Sequence, residues 1–326
     1  MPILAIFLCT FNRSHYLAKA IDSILAQSFK DYQLFILDNA STDDTQKVIN
    51  KYADNRIEYL RNATNIGALA NGNKAFELCR FIDTEFISFF HDDDIMMPTM
   101  LEAQLEIFRS IKEVILVTIN NSHIDSNDSI IRNRALQISR DAMFDRYEYI
   151  KCFFKNRMSL PTPGAMIRRS VILENDFQLR PEIGPAADNY LWFEMNLLDK
   201  KLYLIHQPLL KYRIHPYQDS KINYYEMEFG FIRGTLEFLR KNDLQCLLPI
   251  VKKYATKEIM RSLARNRCLK DLDKEGYLNI YNRFLSNNLI EEKRSMLDKM
   301  HSYLAFNSPE LLRPIYKVKK AGIRVI

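Results

Sequence analysis
Three apolar runs in the first hundred residues each stop abruptly at small polar or acidic residues. Residues 3–9 end at Thr10-Phe-Asn-Arg-Ser14, residues 32–37 at Asp38-Asn-Ala-Ser-Thr-Asp-Asp44, and residues 86–90 at His91-Asp-Asp-Asp94. Runs this short and this uniformly apolar fit strands covered on both faces. Helical stretches separate them. Ser14 can cap a helix over residues 15–27, with Leu17, Ile21, Ile24 and Leu25 on one side. Residues 45–52 give a second helix, and a third follows Asn65-Ile-Gly67 and ends near Arg80. A short strand is expected at 57–60. This alternation predicts an α/β fold with a doubly wound, mostly parallel sheet and flanking helices. Its strands run one way, so the polar clusters gather along one edge, where such sheets bind ligands.

The acidic ending is the most demanding of the three. Burying a carboxylate costs several kcal/mol, and neighbouring carboxylates repel one another. Asp92, Asp93 and Asp94 therefore need water or a cation. Hard oxygen ligands suit Mg²⁺ or Mn²⁺, often bridging to a substrate phosphate. A solvated acidic turn is the plain alternative.

Beyond Pro98 a helix is expected at 100–110, a strand at 114–119, an irregular excursion at 120–145 and a helix at 147–154. A loop at 161–168 enters a strand. An amphipathic helix at 187–198 carries Asp188 near its start, and strands follow at 202–206 and 209–215. From Tyr224 the pattern is helical, which places a boundary near residue 220. Residues 221–326 hold 21 Lys and Arg against 12 Asp and Glu, leaving residues 1–220 with 25 against 28. That basic third can touch an anionic lipid or phosphorylated surface, or simply present solvated helix faces.

The five cysteines contain no CxxC pair, which argues against a zinc module or disulfide framework and fits a reducing cytoplasm. The N-terminus lacks a basic n-region and reads as a core strand, not a signal peptide. No window approaches the ~18 apolar residues of a membrane span.

Taken in order, Thr10-Phe-Asn-Arg13, Leu37-Asp-Asn-Ala-Ser-Thr-Asp43, Asn65-Ile-Gly67, His91-Asp-Asp-Asp94, Ala187-Asp188 and Tyr212-Arg-Ile-His215 resemble the family 2 glycosyltransferases. The similarity spans residues 1–220. It implies a GT-A (Rossmann-like) domain with a nucleotide half at 1–98 and an acceptor half at 99–220, followed by an uncovered helical region at 221–326. It also implies a nucleotide-diphosphate sugar donor, Mn²⁺ or Mg²⁺, and transfer with inversion. On this basis Thr10, Asn12 and Arg13 would sit beside the nucleotide, and Asp38 and Asn39 would reach the base. Asn65 and Gly67 would lie under the nucleotide, and Asp92 near the ribose. Asp94, with Asp93 as the alternative register, would hold the metal, and His215 would help bind metal or diphosphate. Many uridine-using relatives carry an acid where Asn39 stands, so both UDP- and dTDP-sugars are candidate donors.

The chemistry asks for these residue types. A divalent ion neutralises a departing diphosphate, and the attacking hydroxyl needs a carboxylate base on the opposite face of the sugar. Asp188 is the candidate base; a helix cap is its structural alternative. His91 reads as a wall of the cleft, and Trp192 as core packing before an acceptor platform. The chain lacks a Gln-x-x-Arg-Trp motif and an apolar span, so one sugar per encounter is expected, not polymerisation. The acceptor would be a glycan or a polyprenyl-diphosphate-linked oligosaccharide in surface-polysaccharide assembly. Residues 316–326, with Lys252, Lys253, Lys257, Arg261 and Arg265, suggest peripheral attachment to an anionic membrane; an oligomerisation surface and a helical lid are the rivals.

Two other classes compete. A sugar-nucleotidyltransferase normally has a Gly-rich first loop, which Thr10-Phe-Asn-Arg-Ser14 is not. A basic nucleic-acid-binding or scaffolding protein has no use for an acid triplet, so no nucleic-acid partner is expected.

Overall fold
The structure, a computed structural model, describes residues 1–156, 158–215, 224–268 and 272–290, together with 304, 305, 307–310 and 312. The chain divides into two compact units, Met1–Ile222 and Asn223–Ile326. Residues 316–326, on which the tail expectation falls, lie outside the described residues.

The first unit is built on one mixed sheet. Strands β1 (Leu4–Thr10), β2 (Tyr32–Asp38), β3 (Ile57–Arg61) and β4 (Phe86–His91) form its parallel part in the order β3-β2-β1-β4. The order continues β9-β6-β10-β5, where β5 is Ile95–Met96, β6 Val114–Ile124, β9 Met166–Arg168 and β10 Lys201–Arg213. Strand β9 runs antiparallel to both β4 and β6, whereas β6 and β10 are parallel. Strands β7 (Ile130–Arg132) and β8 (Ala142–Phe144) pair with β6 and β10 respectively.

Burial explains the parallel strands. Leu4, Ala5, Ile6, Phe7 and Leu8 are all fully buried, so both faces of β1 are covered. Helix α1 (Ser14–Leu25) buries Leu17, Ala20, Ile21 and Ile24, one face at helical spacing. Ser14 does not cap it through its side chain. Asp43 instead accepts from Ser14 N at 2.9 Å, and from Thr45 N and Oγ1 at 3.0 and 2.6 Å at the start of α2 (Thr45–Ile49). One carboxylate thus serves the first turns of two helices. Burial opposes its ionisation, but the hydrogen bonds from Thr45 and Ser14 outweigh it and hold Asp43 down at about 2.

The helices α3 (Ala68–Leu78), α4 (Met100–Ser110), α5 (Glu148–Asn156), α6 (Arg169–Glu174) and α7 (Ala187–Met195) complete this unit, with a 3₁₀ segment at Pro181–Ala186. Helix α7 stops three residues short of the expected 198. The 120–145 stretch is not wholly irregular. Strand β6 runs on through Asn120, Asn121 and Ser122, which are buried. Asn120 Nδ2 donates to the carbonyls of Leu136 and His206 at 2.8 and 3.0 Å, tying the excursion back to the sheet. The two strands expected at 202–206 and 209–215 are one strand, β10. Its register slips on either side of Pro208, where proline cannot donate to the ladder.

The second unit contains α8 (Tyr224–Lys241), α9 (Leu248–Cys268) and α10 (Lys274–Ser286). Phe229, Ile232, Leu236, Val251, Ile259, Leu263 and Phe284 are buried in it. Asp273 caps α10 by accepting from Gly276 N at 2.7 Å. On α9, Lys253, Lys257, Arg261 and Arg265 are exposed at four-residue spacing. No helix among the described residues is long and apolar enough to cross a membrane.

Candidate active site
The sheet register brings the strand ends together as expected. Thr10, Asp38 and Arg61 are level across β1, β2 and β3, and His91 is level with Cys9 on β1. The acid triplet follows immediately, and Asp92, Asp93 and Asp94 are all buried.

Arg13 enters the cluster from the β1–α1 turn. Its Nη1 lies 3.2 Å from Asp92 Oδ1 and 2.8 Å from Asp93 Oδ2. Asn12 takes a left-handed φ of 53°. Asparagine tolerates this conformation, and its Oδ1 accepts from Thr42 N at 2.7 Å, fastening the first turn to the second. His215 approaches from beyond β10, with Nε2 at 2.9 Å from Asp93 Oδ2. Arg213, fully buried, braces the triplet from below. Its backbone N–H donates to Asp94 Oδ1 at 2.8 Å and its Nε to the Asp93 carbonyl at 2.7 Å. Its guanidinium also pairs with Asp128 at 2.6 Å and lies over the Tyr16 ring at 4.4 Å.

These cations do not neutralise the cluster evenly. Burial, opposed by Arg13 and reinforced by Asp93, pushes Asp92 up to about 7. Burial and the Asp93 charge raise Asp94 well above its usual range. Burial would raise Asp93 too, but His91, Arg13 and His215 together outweigh it and hold it below its usual value. Asp94 Oδ2 is buried without a hydrogen-bond partner.

A polar atom left in that position suits a cation. His91, Asp93 and Asp94 each offer one ligand atom, all within 4.8 Å of one another. Two carboxylates and an imidazole suit a small divalent ion. The expected set of Asp94, Asp93 and His215 is thus gathered, but His91 joins the two acids in this arrangement while His215 is turned to Asp93.

The residues expected on the nucleotide side form a second network. Asn39 Oδ1 accepts from Asn62 Nδ2 at 3.0 Å and Ile66 N at 2.9 Å, and its Nδ2 donates to Asn65 Oδ1 at 2.8 Å. Asn65 Oδ1 also accepts from Gly67 N at 2.9 Å. Gly67 has φ of 88°, the left-handed region that glycine occupies without strain, and it leads directly into α3. Asp38 lies beneath this layer, fully buried, with Oδ1 accepting from Ser41 N at 2.9 Å and Oδ2 from Tyr59 Oη at 2.7 Å.

Asp188 stands in the first turn of α7. Thr162 Oγ1 donates to its Oδ2 at 2.6 Å, and Asn189 N to its Oδ1 at 2.7 Å. Thr162 begins a turn whose Gly164 N donates to Phe89 O at 2.7 Å and whose Ala165 O accepts from Phe89 N at 3.2 Å. This seats the turn beside the end of β4, two residues before His91. Trp192 is buried in the core.

Sequence reasoning gave no role to Thr162, Arg61, Asn62 or Arg213, and did not place His91 among the ligands. For Arg213 a signal existed: it stands two residues before His215, on the same face of an extended segment. For Thr162 there was none.

The comparisons with known proteins agree with this geometry. A family model described as glycosyl transferase family 2 matches residues 5–175. An uncharacterised glycosyltransferase of Methanocaldococcus jannaschii is 26% identical over 245 residues, 74% of this chain and 80% of the relative. The GalNAc(5)-diNAcBac-PP-undecaprenol beta-1,3-glucosyltransferase of Campylobacter jejuni is 28% identical over 253 residues, 75% of this chain and 76% of the relative. Among solved structures, S. aureus TarS 1-349 in complex with UDP-GlcNAc superposes with a TM-score of 0.68 at 16% identity, covering 100% of this chain and 93% of that one. At that identity the likeness is one of fold.

Proposed function
The chain belongs to glycosyl transferase family 2, and from that premise we propose that it moves one sugar, with inversion, from a UDP- or dTDP-sugar to a hydroxyl of a lipid-linked glycan. The observation that carries this reading is the buried Asp92-Asp-Asp94 cluster at the parallel-strand ends, with one carboxylate oxygen of Asp94 unpartnered. The Campylobacter relative's undecaprenol-linked acceptor and the UDP-GlcNAc in the TarS complex support the acceptor and donor classes. Surface-polysaccharide assembly is the corresponding setting.

In this reading Asp93 and Asp94, with His91, hold a divalent cation, and His215 fixes Asp93. That cation, when bound, offsets the charge developing on the departing diphosphate. Thr10, Asn12 and Arg13 line the diphosphate side, Asp92 the ribose. Asn39, Asn65 and Gly67 carry the base, and Asp38 supports the turn beneath it. Asp188 takes the proton of the attacking hydroxyl; the Thr162 hydroxyl holds its Oδ2 and Asn189 N its Oδ1, which fixes the carboxylate's orientation.

A second element concerns location. Like charges at four-residue spacing cost an isolated helix roughly 0.2–0.5 kcal/mol per pair. The exposed row Lys253, Lys257, Arg261 and Arg265 on α9 therefore exists despite its local cost. We assign it to contact with anionic headgroups, where a lipid-linked acceptor is found. Flotation with phosphatidylglycerol vesicles should fall sharply in a Lys257→Glu/Arg261→Glu variant. Equal flotation of both forms would remove the assignment.

Donor hydrolysis across a panel of UDP- and dTDP-sugars, with Mn²⁺ and with chelator, tests the main reading. Asp94→Ala should lose both turnover and metal-dependent UDP binding. Asp188→Asn should lose turnover by about 10²–10⁴-fold while still binding UDP. Full turnover in Asp188→Asn would show that the base lies elsewhere.

A further inference from the structure
Helix α3 makes two asparagine ties in opposite directions. Asn71 faces the sheet: its Nδ2 donates to Leu37 O at 2.9 Å and its Oδ1 accepts from Asn62 Nδ2 at 3.0 Å. Asn73, two residues on, faces away from it, as positions i and i+2 of a helix do. Its Nδ2 donates to Leu179 O at 2.9 Å and its Oδ1 accepts from Leu179 N at 2.7 Å. A side chain here supplies the paired bonds that one strand residue gives another. Gly72 lies between the two asparagines. A Cβ there would stand 2.8 Å from Leu179 Cδ1, so the small residue lets the segment close on the helix.

The next residue continues the path. Arg180 Nε and Nη2 reach Glu194 Oε1 at 3.2 and 2.9 Å, and Glu194 lies on α7, whose first turn carries Asp188. Leu179 is therefore fixed to α3 and Arg180 to α7. Helix α3 is itself fixed to the end of β2, and its N-terminus continues from Gly67. A continuous set of short polar contacts joins the Asn39–Asn65–Gly67 layer to the helix that bears Asp188.

We infer that Asn73 is a positioning residue that registers Asp188 against the nucleotide end of the sheet. The inference rests on the reading of Asp188 as the base. Base catalysis is steeply sensitive to distance, so loosening this register lowers the rate without touching the nucleotide. Between Leu179 and Asp188 the chain includes Gly184 at φ of 76°, a break in the 3₁₀ segment, so regular helical hydrogen bonding does not carry the register through.

The test uses the full chain, Mn²⁺ and the donor hydrolysed fastest in the UDP- and dTDP-sugar panel. Turnover is expressed per UDP-binding site counted by calorimetry, which removes any effect of a misfolded fraction. Asn73→Ala should lower kcat on the order of 10- to 100-fold, with donor KM and UDP Kd within about twofold of the parent. Asn73→Asp keeps the bond from Leu179 N and loses the one to Leu179 O, so its kcat should fall between the two. Asn175→Ala loses a bond to Val171 O in the same stretch but no tie to α3, and should match the parent. Parent-like turnover per site in Asn73→Ala, or an equal loss in Asn175→Ala, overturns the inference. Asp188→Asn separates the layers. If it retains turnover, the base reading fails and this inference with it. If it is inactive while Asn73→Ala is unaffected, only the register fails.

Discussion

The backbone N–H of Arg213 donates to Asp94 Oδ1 at 2.8 Å, while Asp94 Oδ2, also buried, has no hydrogen-bond partner. One oxygen is fixed by the fold, and the other faces His91 Nδ1 at 3.8 Å, where the proposed cation would sit. In metal-free buffer, Asp94→Asn removes a buried carboxyl whose charged form is opposed by burial and by Asp93, and its Tm should equal or exceed the parent's. With Mn²⁺ at about 100 times its Kd the parent should gain about 2.7 kcal/mol of stability, and the variant almost none. Thermal melts with and without Mn²⁺ check this; a variant that gains as much as the parent would remove Asp94 from the ligand set.

Thr162 holds Asp188 through a 2.6 Å hydrogen bond from a loop seated against β4. Hydrogen bonds to charged groups are worth about 1.5–3 kcal/mol. Thr162→Val, close in shape, should cut kcat by about tenfold or more, and Thr162→Ser should restore most of it. Steady-state kinetics on the pair separate loss of the hydroxyl from loss of volume.

Asn39 both donates and accepts within its network. Asn39→Asp cannot donate to Asn65 Oδ1, and two oxygens would then face each other where the buried Asn39 meets the exposed Asn65. The expected cost is about 1–3 kcal/mol in urea unfolding, with a raised donor KM because the Asn65–Gly67 loop is held less firmly. An unchanged KM would mean that this layer does not carry the base.

Asp43 and Asp54 are both held down at about 2, Asp43 by the hydrogen bonds from Thr45 and Ser14 that overcome its burial, Asp54 chiefly by Arg56. A depressed carboxylate adds stability that is present above its unfolded value near 3.8 and is lost as pH falls through 2. The parent should therefore lose stability between those limits. The double variant Asp43→Asn/Asp54→Asn should start less stable at neutral pH and show a shallower acid slope, read by circular dichroism. Asp43 is exposed and Asp54 half-buried at the surface, so solvent screening keeps the effect modest.

Much of the first hundred residues was legible in the sequence because strands there are covered on both faces and so read as apolar runs, interrupted only by Gln33 and Ser88. Residues 3–9, 32–37 and 86–90 announced β1, β2 and β4, and the polar residues after them had to share an edge. The stretch beyond residue 98 hid for the opposite reason. Asn120, Asn121 and Ser122 continue β6 as buried polar residues, and hydropathy ends a strand where hydrogen bonding carries it on. Strand β5 is two residues long and exists only through its pairing with Lys211 and Leu210. The spacing of Arg213 from His215 puts it on the same face, but the sequence does not say that Asp94, Asp125 and Asp128 will surround it. Asp43 caps a helix that starts 29 residues earlier, a tie no local capping pattern contains.

Strand β4 and strand β5 are separated only by Asp92, Asp93 and Asp94, yet β5 is held by β10, whose last residue lies 119 positions downstream of Asp94. At ribosomal rates of about 5–20 residues per second, the triplet waits on the order of ten seconds for Arg213 to be made. During that interval the contacts that Arg213 makes to Asp93 and Asp94 cannot form. Stalled nascent chains ending before residue 213 should be cut by protease near 91–96, and longer ones protected. Protection of the acids is therefore expected late in the synthesis of the chain, and a product truncated before residue 213 is expected to carry its acidic seam open.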